Sequence, residues 1–379
     1  MTDLDRDRLN AALELAQNAI GLSDPNPRVG CILGRDDGSV IATGYTHEAG
    51  GMHAEAAAIA AANASGSRLR GATAWVTLEP CAHHGRTPPC SDALVNAGVA
   101  RVVVGALDPF AQVNGAGVAQ LRAVGIRVDM ADEAFAVRAR ELNVGFFSRH
   151  ERGRPWVRLK IAGSLDGRTA LPNGASQWIT GPEARANGHA WRKRASAVMT
   201  GIGTVLADDP RLDVRHVETH LQPMRVVVDS ALRIPLGSRV LAPSGIRLVM
   251  AARGTQPNVA ALRQHGVDVV MAPGSGGKVD LDAVLKELSN RRVNELHVEA
   301  GPALNGALLQ ARLVDELLVY LAPKLIGEGR GMSALAPIEA VTDAFALRFD
   351  SVSVLGSDIF IRATPIYAPD KSATSVRPS

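Results

Sequence analysis

Four residues of this 379-residue chain offer metal chemistry within one short stretch. His53-Ala54-Glu55 is followed by Glu79-Pro80-Cys81 and then by Cys90. Zinc prefers nitrogen and sulfur donors, and a catalytic zinc takes three of them so that a fourth position stays open to water. One histidine and two cysteines meet that count. A carboxylate two residues after the histidine is the proton carrier such a site needs, able to take a proton from activated water and deliver it to a departing amine. The order His-x-Glu, Pro-Cys, Cys is that of the zinc deaminases, which act on an amino-bearing ring carbon. The competing reading, a satisfied core histidine and two packed cysteines, explains fewer of these matches. Cys31 stands in an apolar run without such partners and reads as core.

Placement agrees with ligation. His53 opens a helical run over 54–64 and Cys90 opens another over 90–97. A helix N-terminus favours the thiolate that a metal requires. Residues two apart diverge on a helix, so His53 and Glu55 converge only if the metal lies off the helix end. Eight residues separate the two cysteines, where nucleic-acid deaminases carry Pro-Cys-x-x-Cys. That insert, Ala82 to Pro89, includes Arg86 and is placed to touch a substrate.

The second half offers a different chemistry. Gly201 to Pro210 and Ala300-Gly301-Pro302-Ala303-Leu304-Asn305-Gly306 each place a glycine turn before a helical pattern, the arrangement that binds anions on backbone N–H groups. Neither is a full dinucleotide fingerprint, but two such turns point to a ligand with several phosphates. Arg192 and Arg215 are forks suited to phosphate, against the ordinary reading of solvated surface charge. Trp178 is either a stacking platform or a core aromatic. Lys160 interrupts an otherwise apolar strand, which points to a buried polar role.

The elements that must position these groups follow from patterning. The length suits two to three domains. With 46% hydrophobic and 21% charged residues the chain is ordinary globular protein, and no window approaches the ~18 apolar residues of a membrane span. A net charge of only +3 with scattered basic residues, and 4% aromatics, argue against nucleic-acid binding. A charged N-terminus and three cysteines, too few for a disulfide framework, lead us to expect a cytoplasmic protein. Leu9, Ala12, Leu13, Ala16 and Ile20 mark a helix. Strands are expected at 31–33, 73–77 and 101–104, helices at 117–123 and 132–147, and together they predict βαβ crossovers. The polar run 148–155 reads as a linker between domains 1–148 and 154–365, with a frayed tail over 366–379. Strands are expected again at 156–161, 197–200, 225–229, 246–251, 267–271, 294–298 and 315–321. The alternating run 351–362 completes the set as an antiparallel edge strand.

Thr77 to Cys90, with Pro25-Asn26-Pro27-Arg28-Val29-Gly30 and His53-Ala54-Glu55, resembles the N-terminal part of the bifunctional deaminase–reductases of riboflavin biosynthesis. Lys160 to Thr169, Ser176-Gln177-Trp178-Ile179-Thr180, Gly201 to Pro210 and Glu299 to Pro302 extend the resemblance to their reductase part. The resemblance implies a cytidine-deaminase-like three-layer α/β/α domain followed by a dihydrofolate-reductase-like α/β domain. It implies zinc on His53, Cys81 and Cys90, with Glu55 as proton donor, and a phosphorylated pyrimidine near Asn26, His47, Arg86 and Asp108. NADPH is implied at Ala162, Trp178, Thr204, Asp208, Ser230 and the turn Gly301, Pro302, Ala303, Leu304, Asn305, Gly306 and Ala307. The sugar phosphate is implied at Ser176, Arg192, Leu212, Arg215 and Glu299, and Lys160 is expected to orient it or polarise its imine. Asp108-Pro109-Phe110-Ala111 departs from the family's usual Asp-Pro-Asn-Pro. The family implies a homodimer or homotetramer. Two other readings follow: a deaminase whose C-terminal domain only binds a ligand, and a base editor of nucleic acid, for which both the cysteine spacing and the charge are wrong.

Overall fold

The structure is a computed structural model and describes residues 1–82, 88–110 and 113–367. The chain forms two compact units. One comprises Met1–Pro155 with Thr219–Leu221 and Lys286–Glu295, and the other holds Trp156–Glu218, Gln222–Leu285 and Leu296–Ser379.

The first unit runs α1 (Asp3–Ala16), β1 (Gly30–Gly34), β2 (Val40–Tyr45), α2 (Ala54–Ala64), β3 (Thr73–Val76), α3 (Cys90–Asn96), β4 (Arg101–Val104), α4 (Ala116–Ala123), β5 (Arg127–Met130), α5 (Glu133–Leu142) and α6 (Val144–Arg152). Its sheet has the order β2-β1-β3-β4-β5. Strands β3, β4 and β5 are parallel, as βαβ crossovers require, but β1 is antiparallel to both β2 and β3. The crossover expectation therefore holds for only part of this sheet. Arg35 to Ser39 is too short for a crossover and closes a hairpin instead.

Two boundaries differ from those expected. The helix anticipated over 132–147 breaks at Asn143, whose side chain accepts from Arg28 N at 2.7 Å and donates to Arg28 O and Ala139 O. Such bonds compete with helix continuation. The run 148–155 is largely not a loop: α6 continues to Arg152, burying Phe146, Phe147 and Ser148, and ends at Gly153 in the left-handed region. Its basic residues occupy the last turn, where the helix dipole favours cations.

One buried carboxylate fastens α1 to this sheet. Thr2 and Asp5 form a capping box at the helix start. Asp5 also accepts from Trp75 Nε1 at 2.8 Å on β3 and from both terminal nitrogens of Arg101, at 2.8 and 2.9 Å, on β4. Leu9, Ala12 and Leu13 of α1 then pack against Leu33, Trp75 and Val103 in one apolar core, and Cys31 is buried there as expected.

From Trp156 onward the chain runs β6 (Trp156–Ser164), β7 (Arg168–Ala170), α7 (Pro182–Arg194), β8 (Ala197–Gly201), α8 (Ile202–Asp208), β9 (Met224–Val228), β10 (Arg247–Ala251), α9 (Gln256–Gln264), β11 (Asp268–Met271), α10 (Leu281–Asn290), β12 (Glu295–Val298), α11 (Pro302–Gln310), β13 (Glu316–Ala322), β14 (Arg330–Gly331), β15 (Ala346–Leu355) and β16 (Asp358–Ile366). Its nine-stranded sheet has the order β11-β10-β9-β8-β12-β6-β13-β16-β15. The single strand expected over 351–362 is a hairpin, β15 and β16, turning at Gly356 with φ of 61°. Strand β15 is exposed along nearly its whole length.

Burial alone would raise the Asp5 carboxyl, but hydrogen bonds from Arg101, Thr2 and Trp75 hold it well below the usual carboxylate range. Its stabilising contribution is therefore present above the unfolded-chain pKa of about 3.9 and lost as the pH falls below it. Asp5→Asn is expected to cost roughly 2–3 kcal/mol in urea unfolding at pH 7. The gap between the variant and wild type should narrow below about pH 4; an unchanged gap would contradict this role.

Candidate active sites

The three donors converge at one end of the first sheet. His53 is the N-cap of α2 and Cys90 is the first residue of α3, so each side chain projects from a helix start, while Cys81 lies in the loop after β3. Their donor atoms all lie within 4.8 Å of one another. His53 Nδ1 stands 3.7 Å from Cys81 Sγ and 3.4 Å from Cys90 Sγ, and Cys90 N donates to Cys81 Sγ at 3.3 Å. Zinc bonds of about 2.3 Å to sulfur and 2.1 Å to nitrogen in a tetrahedron put sulfur and nitrogen about 3.6 Å apart. The residues therefore fit zinc.

Electrostatics at the cluster favours a metal ligand. Hydrogen bonding from Cys90 and His53 pulls the Cys81 thiol down to about 4, against the effect of burial. Cys90 goes the other way, because two sulfurs this close do not both ionise without a cation. Glu55, in the first turn of α2, is fully buried, and burial with the nearby Cys81 charge pushes it up to about 7. A carboxyl poised there is suited to both accept and release a proton near neutral pH.

Two glycines allow close backbone packing around the cluster. A Cβ at Gly44 on β2 would lie 2.4 Å from Ala54 O and 2.5 Å from Ala58 N, so α2 packs backbone to backbone on the strand. A Cβ at Gly117 would lie 1.9 Å from Pro80 O, which seats α4 beside the Cys81 loop. Glu79 completes this packing. Its buried carboxylate accepts from Asp108 N at 3.3 Å, Gly115 N at 2.9 Å and Val118 N at 3.1 Å, capping α4 from a distant segment. The sequence motif contains Glu79 but gives it no role, since its partners lie 29 to 39 residues away.

Among the other expected substrate residues, Asp108 is buried and pushed up to about 7 by burial and by the Glu79 and Cys81 charges. His47 lies at the base of the loop leading to His53, with its N–H on Met52 O at 3.0 Å and its ring 5.4 Å from that of Tyr45. Asn26 sits in the turn closed by its own N–H on Ser23 O at 2.8 Å. Arg86 lies outside the described residues.

The second unit holds a cavity of about 520 Å³, within the range of ligand pockets. Lys160, Ala162, Ser176, Trp178, Arg192, Thr204, Asp208, Leu212, Arg215, Glu299, Gly301 and Asn305 all line it. Gly201 and Gly301 are the N-caps of α8 and α11, and Pro302 begins α11. Pro302, Ala303, Leu304, Gly306 and Ala307 do not line the cavity. Ser230 does not line it either: its carbonyl accepts from Ala252 N and Arg253 N, and its hydroxyl from Val279 N at 3.3 Å.

Glu299 organises this cavity. Arg192 grips it with Nε and Nη2 and turns Nη1 to Asp213 O at 2.9 Å, while Lys160 Nζ stands 3.7 Å away. Burial would raise Glu299, but these two cations hold it well below the carboxylate range. Ser176 donates to Asp208 at 3.2 Å. Trp178 is 60% exposed, with the Arg185 guanidinium 4.7 Å from its ring centre and its carbonyl held by Lys324 Nζ at 3.1 Å. Sequence reasoning missed Arg185, Asp213 and Lys324, which no local motif marks.

Comparison with known proteins matches both halves. A family model described as the cytidine and deoxycytidylate deaminase zinc-binding region matches residues 3–106, and one described as the RibD C-terminal domain matches 155–361. Riboflavin biosynthesis protein RibD of Escherichia coli is 43% identical over 361 residues, covering 92% of this chain and 96% of that one. The Aquifex aeolicus protein of the same name is 38% identical, covering 95% and 98%. The solved structure of Acinetobacter baumannii RibD matches with a TM-score of 0.86 at 38% identity, covering 96% of this chain and 99% of that one. A Thermotoga maritima structure described as a diaminohydroxyphosphoribosylaminopyrimidine deaminase/5-amino-6-(5-phosphoribosylamino)uracil reductase matches at 0.84 and 32% identity, again over 96% and 99%. With its two halves matched in order along nearly its whole length, the chain belongs to the RibD family of riboflavin-biosynthesis deaminase–reductases.

Proposed function

We propose that the two sites carry out consecutive steps, with residues 1–148 as the deaminase domain and 154–365 as the reductase domain. The first step hydrolyses 2,5-diamino-6-(5-phosphoribosylamino)pyrimidin-4(3H)-one to the uracil and ammonia. The second reduces its ribosyl side chain to give 5-amino-6-(5-phosphoribitylamino)uracil. The observation that carries this reading is the convergence of His53, Cys81 and Cys90 beside the buried Glu55 in a chain that also encloses the Glu299 cavity.

Zinc, when bound, supplies Lewis acidity toward water, and NADPH supplies the hydride. Glu55 takes the proton that water loses and delivers it to the departing amine. Asn26, His47, Arg86 and Asp108 hold the pyrimidine and its phosphate. In the second site Trp178, Ala162, Thr204, Asp208, Ser230 and the 301–307 turn hold NADPH. Ser176, Arg192, Leu212, Arg215 and Glu299 hold the sugar phosphate, and Lys160 orients the sugar or polarises its imine. The reading in which the second domain only binds a ligand is disfavoured by the match of residues 155–361 to the RibD C-terminal domain.

We also assign the chain to the cytoplasm, a reducing compartment suited to its three free cysteines, and to a homodimer or homotetramer. Among the described residues no helix is long and apolar enough to cross a membrane. Self-association is supported by β15, a sheet-edge strand that exposes Leu347, Phe349, Val352 and Val354.

Ammonia release and NADPH oxidation, followed separately in the full chain, test the assignment. Glu55→Gln is expected to lower ammonia release by about 10²- to 10⁴-fold and leave reduction of supplied deaminated intermediate intact. Lys160→Ala should do the converse. Wild type that releases ammonia but never oxidises NADPH with that intermediate would refute the reductase claim. Glu79→Ala should cut ammonia release at least about tenfold by loosening the 108–118 segment, Glu79→Gln should restore much of it, and neither should change NADPH oxidation; equal loss of both activities would contradict a local role. Light scattering should show Phe349→Glu shifted to a smaller assembly than wild type, and a monomeric wild type would refute self-association.

A further inference from the structure

The cavity of the second unit is strongly cationic, lined by six arginines and one lysine against two carboxylates. Most of these cations are already engaged. Arg192 uses three nitrogens on Glu299 and Asp213 O. Arg215 Nη1 pairs with Asp213 at 2.8 Å, and Arg211 Nε takes the other oxygen of the same carboxylate at 2.9 Å. Arg239 donates to Asp209 O at 2.7 Å, and Arg185 donates to Thr180 O at 2.8 Å while covering Trp178. Lys160 faces Glu299. Each of these guanidinium groups is anchored to a protein oxygen, Arg192 through three nitrogens and the others through one, so each meets a ligand with the donors left over.

Arg330 is different. Among the described residues its side chain has no hydrogen bond, ion pair or ring contact, although it lines the cavity and is only partly exposed. Its backbone is fixed. Arg330 pairs with Ala170 in the β14–β7 ladder, its carbonyl accepts from Thr169 Oγ1 at 3.3 Å, and a Cβ on the preceding Gly329 would lie 2.4 Å from Ala170 O. Arg330 Nη2 would lie 3.9 Å from a Cβ at Gly174, which places the guanidinium over the 171–175 turn. A rooted stem with an uncommitted fork in a cationic cavity is preorganised for a phosphate, which accepts two parallel N–H bonds from one arginine.

We propose that Arg330 is a phosphate-binding residue of this cavity, gripping a phosphate group of a ligand seated there. The inference rests on the reading of this cavity as the reductase site. The phosphate comes from either of two sources, the 5′-phosphate of the sugar or the phosphates of NADPH, and kinetics separates them.

The experiment compares wild type, Arg330→Met and Arg330→Lys in the full chain. It measures KM for NADPH, KM for 5-amino-6-(5-phosphoribosylamino)uracil and for its dephosphorylated form, and ammonia release as a check on folding. Losing a charge-assisted contact should raise one KM roughly 10- to 100-fold in Arg330→Met, with partial recovery in Arg330→Lys. A rise confined to the phosphorylated sugar assigns the contact to the substrate, and a rise in KM for NADPH assigns it to the cofactor. Ammonia release should stay within about twofold of wild type. If both KM values stay within about twofold while ammonia release is intact, the proposal fails. Calorimetric titration with inorganic pyrophosphate gives a readout without turnover. A binding loss in Arg330→Met supports the contact even if wild type oxidises no NADPH, the result that would refute the reductase reading alone, and identical binding overturns it.

Discussion

Three donor atoms from three separate elements must meet within 4.8 Å, and the first unit is built around that constraint. Histidine and cysteine side chains are short, so the helices bearing His53 and Cys90 must begin close to the Cys81 loop. Gly44 permits this for α2 by letting it touch β2 backbone to backbone, and Gly117 seats α4 against Pro80 beside the Cys81 loop, where any Cβ would collide. The gain is positional and electrostatic together. Each helix start brings its positive dipole end toward the sulfurs, and Glu55, two residues beyond His53, is buried at the same spot.

Buried carboxylates hold the surroundings in both units, each by the same logic. A charged group is tolerated out of water only when its oxygens are satisfied. Asp5 is satisfied by Thr2, Trp75 and Arg101, Glu79 by three backbone N–H groups, and Glu299 by Arg192 and Lys160. Because the partners of each come from segments far apart in sequence, each carboxylate fixes a tertiary arrangement that apolar packing alone leaves free to slide. Glu79 fixes the loop that presents Asp108, and Glu299 orients Lys160 and Arg192 in the cavity wall.

Much of this was legible in the sequence where function depends on local spacing. The ligand set, the helix over 54–64 and the glycine turns at 201 and 301 follow from residue type and order. Strand β2 was not anticipated because its inward positions are Ala42 and Gly44, which leave no apolar alternation to read. Strand β5 was missed because only Val128 in it is buried. Arg192 reads as a phosphate fork in sequence, but the carboxylate that engages it lies 107 residues away, a pairing no local pattern encodes. Separation in sequence likewise hides the role of Glu79, whose partners lie 29 to 39 residues away, and it hides that the Arg330 side chain meets no partner among the described residues.

X-ray absorption at the zinc edge on the purified full chain tests the central claim most directly, the convergence of His53, Cys81 and Cys90 on one metal. The structure predicts one zinc per chain surrounded by two sulfurs and one imidazole nitrogen, with the sulfur signal halved in Cys81→Ser. A stoichiometric zinc with no sulfur neighbours, or one unaffected by Cys81→Ser, would contradict it.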